Sequence, residues 1–325
     1  MKTLIKLASS SFAKTLPILG CIKFYGDMAV ATDLEIDATT KGPWNFPEPR
    51  MVEVSLLKAA MSINKVPVWE GTKLNGIDLI SDFDVSDFPL LKNVSNKNNE
   101  VFTEIQFSRP LHEIITRVKP AMAKNDIRYY LNGILFDLEN NAVVTTDGHL
   151  MCVEKNAITS TDASKNAIIP RGVFDLIKKP LSIRISDKHA YIEHDGGMLL
   201  SKLIDGKFPD WRRVLPVNKD KIGIPFNRTQ LENLKKIQTF NVTHKLACNS
   251  VTLKKDGSAI SNDGKLKLPF GKPLSTDVSF FTKQIIPAME ATDGNGQMFF
   301  EGQYADLITT ITRDDFSAVL RTMRP

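Results

Sequence analysis

Apolar positions along the chain fall into helical and strand periods that recur in a fixed order. Leu4, Ile5 and Leu7 open an amphipathic helix; Leu111, Ile114, Ile115 and Val118 mark a second at i, i+3, i+4 and i+7; Leu231, Leu234 and Ile237 mark a third. Such stripes turn one helical face toward a core. After each stripe come β-prone runs on either side of a short turn: ILGCIKFYGDMAVATDLEIDA, YLNGILFDLENNAVVTTDGHLMCV and LACNSVTLKKDGSAISNDGKLKL, with turns at Gly26-Asp27, Asn140-Asn141 and Asp256-Gly257. These turn residues between β-prone runs predict hairpins. A strand leading into a second short helix follows, as VEVSLLKAAM, AIIPRGVFDLI and DVSFFTKQII. A closing pair of strands is then expected. It ends with Phe88-Pro89 and Phe208-Pro209 in the first two units and with LITTITRDDFSAVLRTMRP in the third.

The spacing of these elements predicts an internal repeat. Asp33, Asp147 and Asp263 occupy matching places 114 and 116 residues apart, and Ser55, Pro170 and Ser279 begin the second helical segment at spacings of 115 and 109. Repetition on that scale sets the architecture. Polar, turn-rich stretches separate the units, LKNVSNKNNE at 91–100 and VNKDKIG at 217–223. The expectation is an α+β protein of three domains, 1–100, 101–216 and 217–325, each with two helices packed on one face of an antiparallel sheet.

Composition alters this picture little. A chain of 325 residues exceeds one typical core, and 42% hydrophobic with 24% charged residues is ordinary for a globular protein. The net charge of +5 permits a polyanionic partner without requiring one. Lys14, Lys119, Lys124, Lys235 and Lys236 lie on the polar faces of the periodic helices. A solvated surface explains any single one, but recurrence on equivalent helices points to a polyanion. Cys21, Cys152 and Cys248 form no CxxC or Cys/His cluster, so buried reduced thiols are expected rather than disulfides or zinc. The N-terminal MKTLIKLASSSFAK is too short in its apolar part for a signal peptide, and no later run approaches a membrane span. A cytoplasmic protein is expected.

An enzyme reading rests on Asp33, Glu35 and Asp37 as a carboxylate cluster, with Asp147 and His149 as metal ligand or base in a metal-dependent nuclease. The first three alternate along one strand, and Asp33, Asp147 and Asp263 recur at a whole-domain spacing. Three equivalent turns account for that better than one convergent site. The chain also carries no GxxxxGKS and no GxSxG. No catalytic residue, metal or cofactor is expected.

AMAKNDIRYYLNGILFDLE, VVTTDGHLM and SKLIDGKFPDWRRVLP closely resemble the DNA polymerase III beta subunit family, the replicative sliding clamps of bacteria. TLPILG at 15–20, ATDLEID at 31–37 and the terminal LRTMRP resemble the same family at corresponding places. The likeness is densest in the middle domain and thinnest in the third. The chain looks shorter than typical members, which suggests a divergent, phage-encoded version. The resemblance implies a head-to-tail homodimer whose six domains encircle double-stranded DNA without sequence preference. It implies as partners a replicative DNA polymerase, a clamp loader and other proteins bearing a clamp-binding motif. It implies DNA contact at Lys14, Lys124, Asn125, Tyr129, Tyr130 and Arg171, although the tyrosines also read as ordinary strand aromatics, one buried and one exposed. It further implies a partner-peptide groove between the second and third domains. Arg128, Leu131, Thr146, Gly148, His149, Leu150 and Met151 would form one side, Pro209, Arg213 and Val214 the linker side, and Val319, Leu320, Arg321, Met323 and Arg324 the tail. Some of these apolar residues read equally as interdomain core. Leu150, where the family commonly has arginine, and the polar Arg321-Thr322 depart from the pattern and leave the partner motif open. The alternative is a DNA-binding or interaction scaffold with clamp-like domains that forms no ring.

Overall fold

The apolar stripes become helices at Lys2–Ala8, Leu111–Val118 and Arg228–Thr243, and the second helical segments at Val54–Ile63, Arg171–Leu176 and Thr282–Glu290. Leu111–Val118 buries Leu111, Ile114, Ile115 and Val118, the four positions of its stripe. Arg228–Thr243 starts in a capping box: the Asn227 side chain accepts from the backbone, and Gln230 Oε1 accepts from the Asn227 N–H at 2.9 Å. This satisfies two N–H groups that a helix start would otherwise leave bare. The computed structural model describes residues 1–10, 12–64, 66, 68–79, 83–91, 100–163, 165–215, 223–246, 248–301 and 308–323. Contacts divide the chain into two units. One is Met1–Gln106 with Ser160–Lys165 and Ile169–Ile204; the other is Phe107–Thr159 with Asn166–Ile168 and Asp205–Pro325.

The closing elements differ from expectation. Among the described residues three strands, not two, follow each second helix: Trp69–Glu70, Lys73–Leu74 and Ile77–Asp78; Pro180–Ile185, His189–His194 and Gly197–Lys202; Gly296–Glu301, Ile308–Arg313 and Phe316–Arg321. The Phe-Pro segments lie beyond these strands. Val85–Asp87 is a 3-10 turn, and Phe88 is buried against Cys21, Val30 and Met51. Proline cannot donate to a strand ladder, and Phe88-Pro89 and Phe208-Pro209 lie outside the ladders.

In the first unit, Cys21–Thr32 and Ile36–Glu53 form a long antiparallel hairpin, and Gly26-Asp27 is not the expected hairpin turn but an irregularity inside the first strand, where the register shifts around Gly26 at φ +54°. Ile36 to Thr39 pair on their other side with Ser201 to Met198, and the sheet continues through His189–His194, Pro180–Ile185 and Thr103–Phe107. Phe24, Trp44, Phe46 and Trp69 interlock beside the hairpin, with centroids 4.8 to 6.1 Å apart along the contacts that Phe24 makes.

In the second unit, Gly133–Asp137, Ala142–Thr146 and Leu150–Glu154 form a meander. Leu150 to Glu154 then pair with Leu320 to Phe316, and the sheet runs on through Ile308–Arg313, Gly296–Glu301 and Ile224–Phe226. A separate sheet orders Lys267–Pro269, Ser258–Ser261, Ser250–Leu253 and Val278–Phe281. At the Glu154 end, Arg117 is 9% exposed and its guanidinium bonds Glu154 Oε1 at 3.0 Å and the carbonyls of Ala291 and Arg313 at 2.9 and 3.4 Å. It also stands over the Phe316 ring at 4.9 Å, and Arg109 approaches Glu154 at 3.6 Å. One buried cation thereby takes up carbonyls where the helix Thr282–Glu290 ends and where the last hairpin turns. Burial pushes the Glu154 carboxyl above its ordinary range, and the two arginines oppose that rise.

Removing one partner of a buried ion pair costs more than the pair contributes. Arg117→Met is therefore expected to destabilise the protein by about 3–5 kcal/mol in chemical denaturation, with Arg117→Met/Glu154→Leu recovering the part due to the unpaired carboxylate. Equal losses in the single and double variants would show that the pair is not coupled.

Candidate nucleic-acid interface and partner groove

Beyond Leu111–Val118 the chain makes a 3-10 turn at Lys119–Ala121 and then a loop that is braced at its centre. The Asp126 N–H donates to Asn132 Oδ1 at 2.9 Å, and Asn132 Nδ2 donates back to the Asp126 carbonyl at 2.8 Å. The Asp126 carboxylate accepts from the Arg128 backbone N–H at 2.8 Å and from its guanidinium at 2.9 and 2.8 Å. These bonds from Arg128 hold the Asp126 carboxyl down to about 2. Asn125 sits at φ +57°, which asparagine tolerates better than most residues. The brace holds Lys124, Asn125 and Tyr129 in solvent, beside an Ile127 that is 96% exposed. Tyr129 and Tyr130 meet edge to face at 5.7 Å. They lie on a 3-10 turn, Tyr129–Leu131, not on a strand, so strand alternation does not set their exposure: Tyr129 is exposed, Tyr130 half-buried and Leu131 buried.

Arg128 also lies across the next turn. Its Nη2 donates to the Asp147 carbonyl at 3.2 Å, and a Cβ on Gly148 would fall 2.9 Å from that nitrogen. Gly148, at φ +87°, accordingly admits no side chain without strain. Asp147 Oδ1 accepts from the N–H groups of His149 and Leu150, both at 2.8 Å. Asp33 Oδ1 does the same for Glu35 and Ile36 at 3.0 and 2.8 Å, and Asp263 Oδ1 accepts from Lys265 at 3.1 Å. Burial raises the Asp33 carboxyl, whereas the Ser261 hydroxyl lowers that of Asp263. All three aspartates thus close turns, and Glu35 pairs with Lys202 at 3.0 Å. Among the described residues no group of three His, Cys, Asp or Glu is placed to hold a metal.

The residues assigned to a groove separate by exposure. Leu131, Leu150, Met151, Val319 and Leu320 are buried, and strand pairing joins Leu150 to Leu320 and Met151 to Val319. Thr146 and Met323 are half-buried, and the Met323 N–H is fixed to the Ser279 carbonyl at 2.8 Å. Arg128, Gly148, His149, Pro209, Arg213, Val214 and Arg321 are exposed. Arg324 lies outside the described residues. Lys14, exposed, and Arg171, paired with Asp175 at 3.0 Å, belong to the first unit. Of the helical lysines, Lys119 and Lys124 follow their helix rather than lie on it, and Lys235 is held between Glu232 and Glu290 at 3.2 and 3.0 Å. The carboxylates around Lys235 make it a poor phosphate ligand.

Sequence reading missed a cleft of about 880 Å³ that sets Tyr129 and Tyr130 against Pro209 and Arg213. Trp211, in a 3-10 turn, donates its indole N–H to Asp137 Oδ2 at 2.7 Å, and Arg212 bonds Asn140 at 3.1 Å. These two bonds fasten the 206–214 segment. The available signal was the Trp211 indole itself, which needs an acceptor when buried.

Residues 107–210 match the family model described as DNA polymerase III beta subunit, central domain. The beta sliding clamp of Vibrio cholerae is 37% identical over 145 residues, covering 42% of this chain and 38% of that protein. That of Escherichia coli K12 is 35% identical over 154 residues, 44% of this chain and 40% of that protein. The match spans only about two fifths of the length of these curated relatives. The fold likeness is longer. A sliding clamp of Bartonella birtlesii bound to griselimycin superposes with TM-score 0.77 at 19% identity, over 99% of this chain and 97% of that one. One from Pseudomonas aeruginosa gives 0.74 at 20%, over 99% and 96%. Among the described residues no helix is long and apolar enough to cross a membrane.

A carboxylate with a depressed pKa contributes stability above its unfolded value and loses it as pH falls through the folded one. The Asp126 brace is therefore expected to stay closed from neutral pH down to about 2 and to open below that. Amide exchange at residues 124–132 checks this. Asp126→Asn should open the same amides at neutral pH, and unchanged protection in that variant would refute the brace.

Proposed function

Because residues 107–210 carry the beta-subunit central domain and the whole chain has the sliding-clamp fold, we propose that this protein is a DNA sliding clamp, a processivity factor performing no chemistry. The observation that carries this reading is the fold correspondence over 99% of the chain, since ring closure depends on every domain and not on the central one alone. Three domains, 1–100, 101–216 and 217–325, are supported by the recurring order of helix, hairpin, Asp turn, helix and three strands. Two such chains joined head to tail would close a ring of six domains around duplex DNA. The protein would work in the cytoplasm, on a polymerase of its own replication system.

Lys124, Asn125 and Tyr129 on the braced loop would touch the phosphate backbone, with Tyr130, Lys14 and Arg171 as further contacts. Such contacts position a duplex without reading its sequence, which suits sliding. Partner peptides from the replicative polymerase, the clamp loader and other motif-bearing proteins would dock on Gly148, His149, Pro209, Val214 and Met323. Leu131, Leu150, Met151, Val319 and Leu320 would form the floor beneath, with Thr146, Arg128, Arg213, Arg321 and Arg324 as polar directors. Burying one partner Leu or Phe contributes roughly 1.5–3 kcal/mol, which leaves the site exchangeable among partners.

Encirclement is tested with loader-assembled complexes on nicked circular DNA. The protein is expected to remain bound at high salt and to leave once the circle is linearised. Loss from circles and linear DNA at the same salt would defeat the proposal, because purely electrostatic binding weakens alike on both.

The groove is tested separately with Met323→Asp and a labelled clamp-binding peptide. Fluorescence anisotropy is expected to show at least about a tenfold loss of affinity, with circular dichroism and retention on circles unchanged. An unaltered affinity would place the peptide elsewhere.

A further inference from the structure

Two surfaces that the clamp reading gives to different ligands meet at one side chain. Arg128 stands among the groove residues, yet its guanidinium reaches back to the loop that presents Lys124, Asn125 and Tyr129. Its Nε and Nη2 donate to the Asp126 carboxylate at 2.9 and 2.8 Å, and Nη2 also donates to the Asp147 carbonyl at 3.2 Å. Loop and turn both belong to the second unit. Among the described residues the bond to Asp147 is the one hydrogen bond that leaves segment 124–132 for the rest of the protein. The other bonds of the loop run within it.

The far end of this strut is rigid. Thr146 Oγ1 accepts from the Gly148 N–H at 3.0 Å and donates to the Leu150 carbonyl at 2.9 Å. Asp147 Oδ1 takes the N–H groups of His149 and Leu150, and Leu150 pairs with Leu320 in the sheet. The guanidinium also fills the space that a side chain at 148 would need, since a Cβ there would lie 2.9 Å from Nη2 and 3.1 Å from Nη1. The near end stays charged at neutral pH, because the side-chain bond from Arg128 holds the Asp126 carboxyl down to about 2.

From this geometry we infer that Arg128 is a positioning residue that couples the two sites: a partner peptide on the 146–149 turn and duplex DNA on the 124–129 loop each tighten the binding of the other. The inference rests on the clamp reading and adds to it a link between its two ligands. The Arg128 side chain is 46% exposed, so water competes for its bonds. A peptide laid over Gly148 and His149 removes that water and strengthens both ends of the strut. The loop then keeps one shape, and it loses less conformational freedom when phosphates meet Lys124 and Asn125. A duplex that fixes the loop likewise holds Arg128 on the turn, and linkage makes the two effects equal.

The test is a binding cycle on the full-length protein. A labelled clamp-binding peptide is titrated by fluorescence anisotropy against free protein and against protein loaded on nicked circular DNA. Wild type is expected to bind the peptide about fivefold more tightly on the circle. Arg128→Ala and Asp126→Asn, checked for fold by circular dichroism, are expected to bring that ratio to about one. Asp126→Asn, a nearly isosteric change, serves alone should Arg128→Ala misfold. A merely structural role for Arg128 would weaken binding to free and loaded protein alike and leave the ratio intact. Without DNA, saturating peptide should slow amide exchange at residues 124–127 in wild type and in neither variant.

Four outcomes overturn the inference. Equal peptide affinity for free and loaded wild type removes the coupling and leaves the clamp reading standing. Tighter binding to the free protein reverses its sign. A ratio that survives both substitutions shows that the ligands communicate by another route than Arg128. A peptide that binds neither form of a protein retained on circles removes the groove and this link together.

Discussion

Edge satisfaction of backbone hydrogen bonds is the constraint on which the rest of this structure depends. A strand exposed at a sheet edge leaves a row of N–H and C=O groups without partners. Here the strand Leu150–Glu154 meets that demand by taking Phe316–Arg321, from far along the chain, as its neighbour. Ile36 to Thr39 meet it with Ser201 to Met198. Every residue of Leu150–Glu154 and of residues 316–320 is buried, so both faces of this seam lie inside the protein. The pairing of Leu150 with Leu320 puts both in the interior, and it brings the 146–151 turn and the 319–323 tail to one sheet.

The second structural tie at that seam is ionic, and it acts through the unpaired ends of other elements. Arg117 leaves a helix of one segment and donates to carbonyls at Ala291 and Arg313 in another. Glu154 neutralises it inside the protein. A hydrophobic residue in its place could pack as well but could not satisfy those carbonyls. Such a network specifies an arrangement more than it adds stability, since desolvating the charges offsets much of their attraction.

On the candidate site the same economy of partners appears in small turns. Asp126 and Asn132 carry no expected contact of their own, yet with Arg128 they hold the loop that presents Lys124, Asn125 and Tyr129, and Gly148 leaves Arg128 the room to do so. A loop already held in one shape loses less conformational freedom when it meets a partner. Arg128, Arg213, Arg321 and His149 are exposed, whereas Leu131, Leu150, Met151, Val319 and Leu320 are committed to the core.

Local pattern was enough to read the helices, the hairpins at Asn140-Asn141 and Asp256-Gly257 and the three aspartate turns, because a 3.6-residue stripe, a turn residue between β-prone runs and an Asp two residues ahead of a free N–H act over a few neighbouring positions; Gly26-Asp27 misled it, because both residues lie inside the strand Cys21–Thr32. The same pattern misplaced the closing strands. Trp69–Glu70, Lys73–Leu74 and Ile77–Asp78 are too short to show a period, and they exist because Asn75 and Gly76 can take positive φ and because Trp69 packs on Phe24 and Trp44. Tyr129 and Tyr130 read as strand residues because aromatics favour strands; the Asp126–Asn132 bracket overrode that preference and made a 3-10 turn. Which apolar residues of the motif-rich segments are floor and which are accessible was decided by strand pairing between distant segments, as at Leu150 and Leu320, and by the Trp211–Asp137 bond that fastens 206–214. No window of sequence contains those partners, because the hydrogen bonds that select them form only when the chain has folded back on itself.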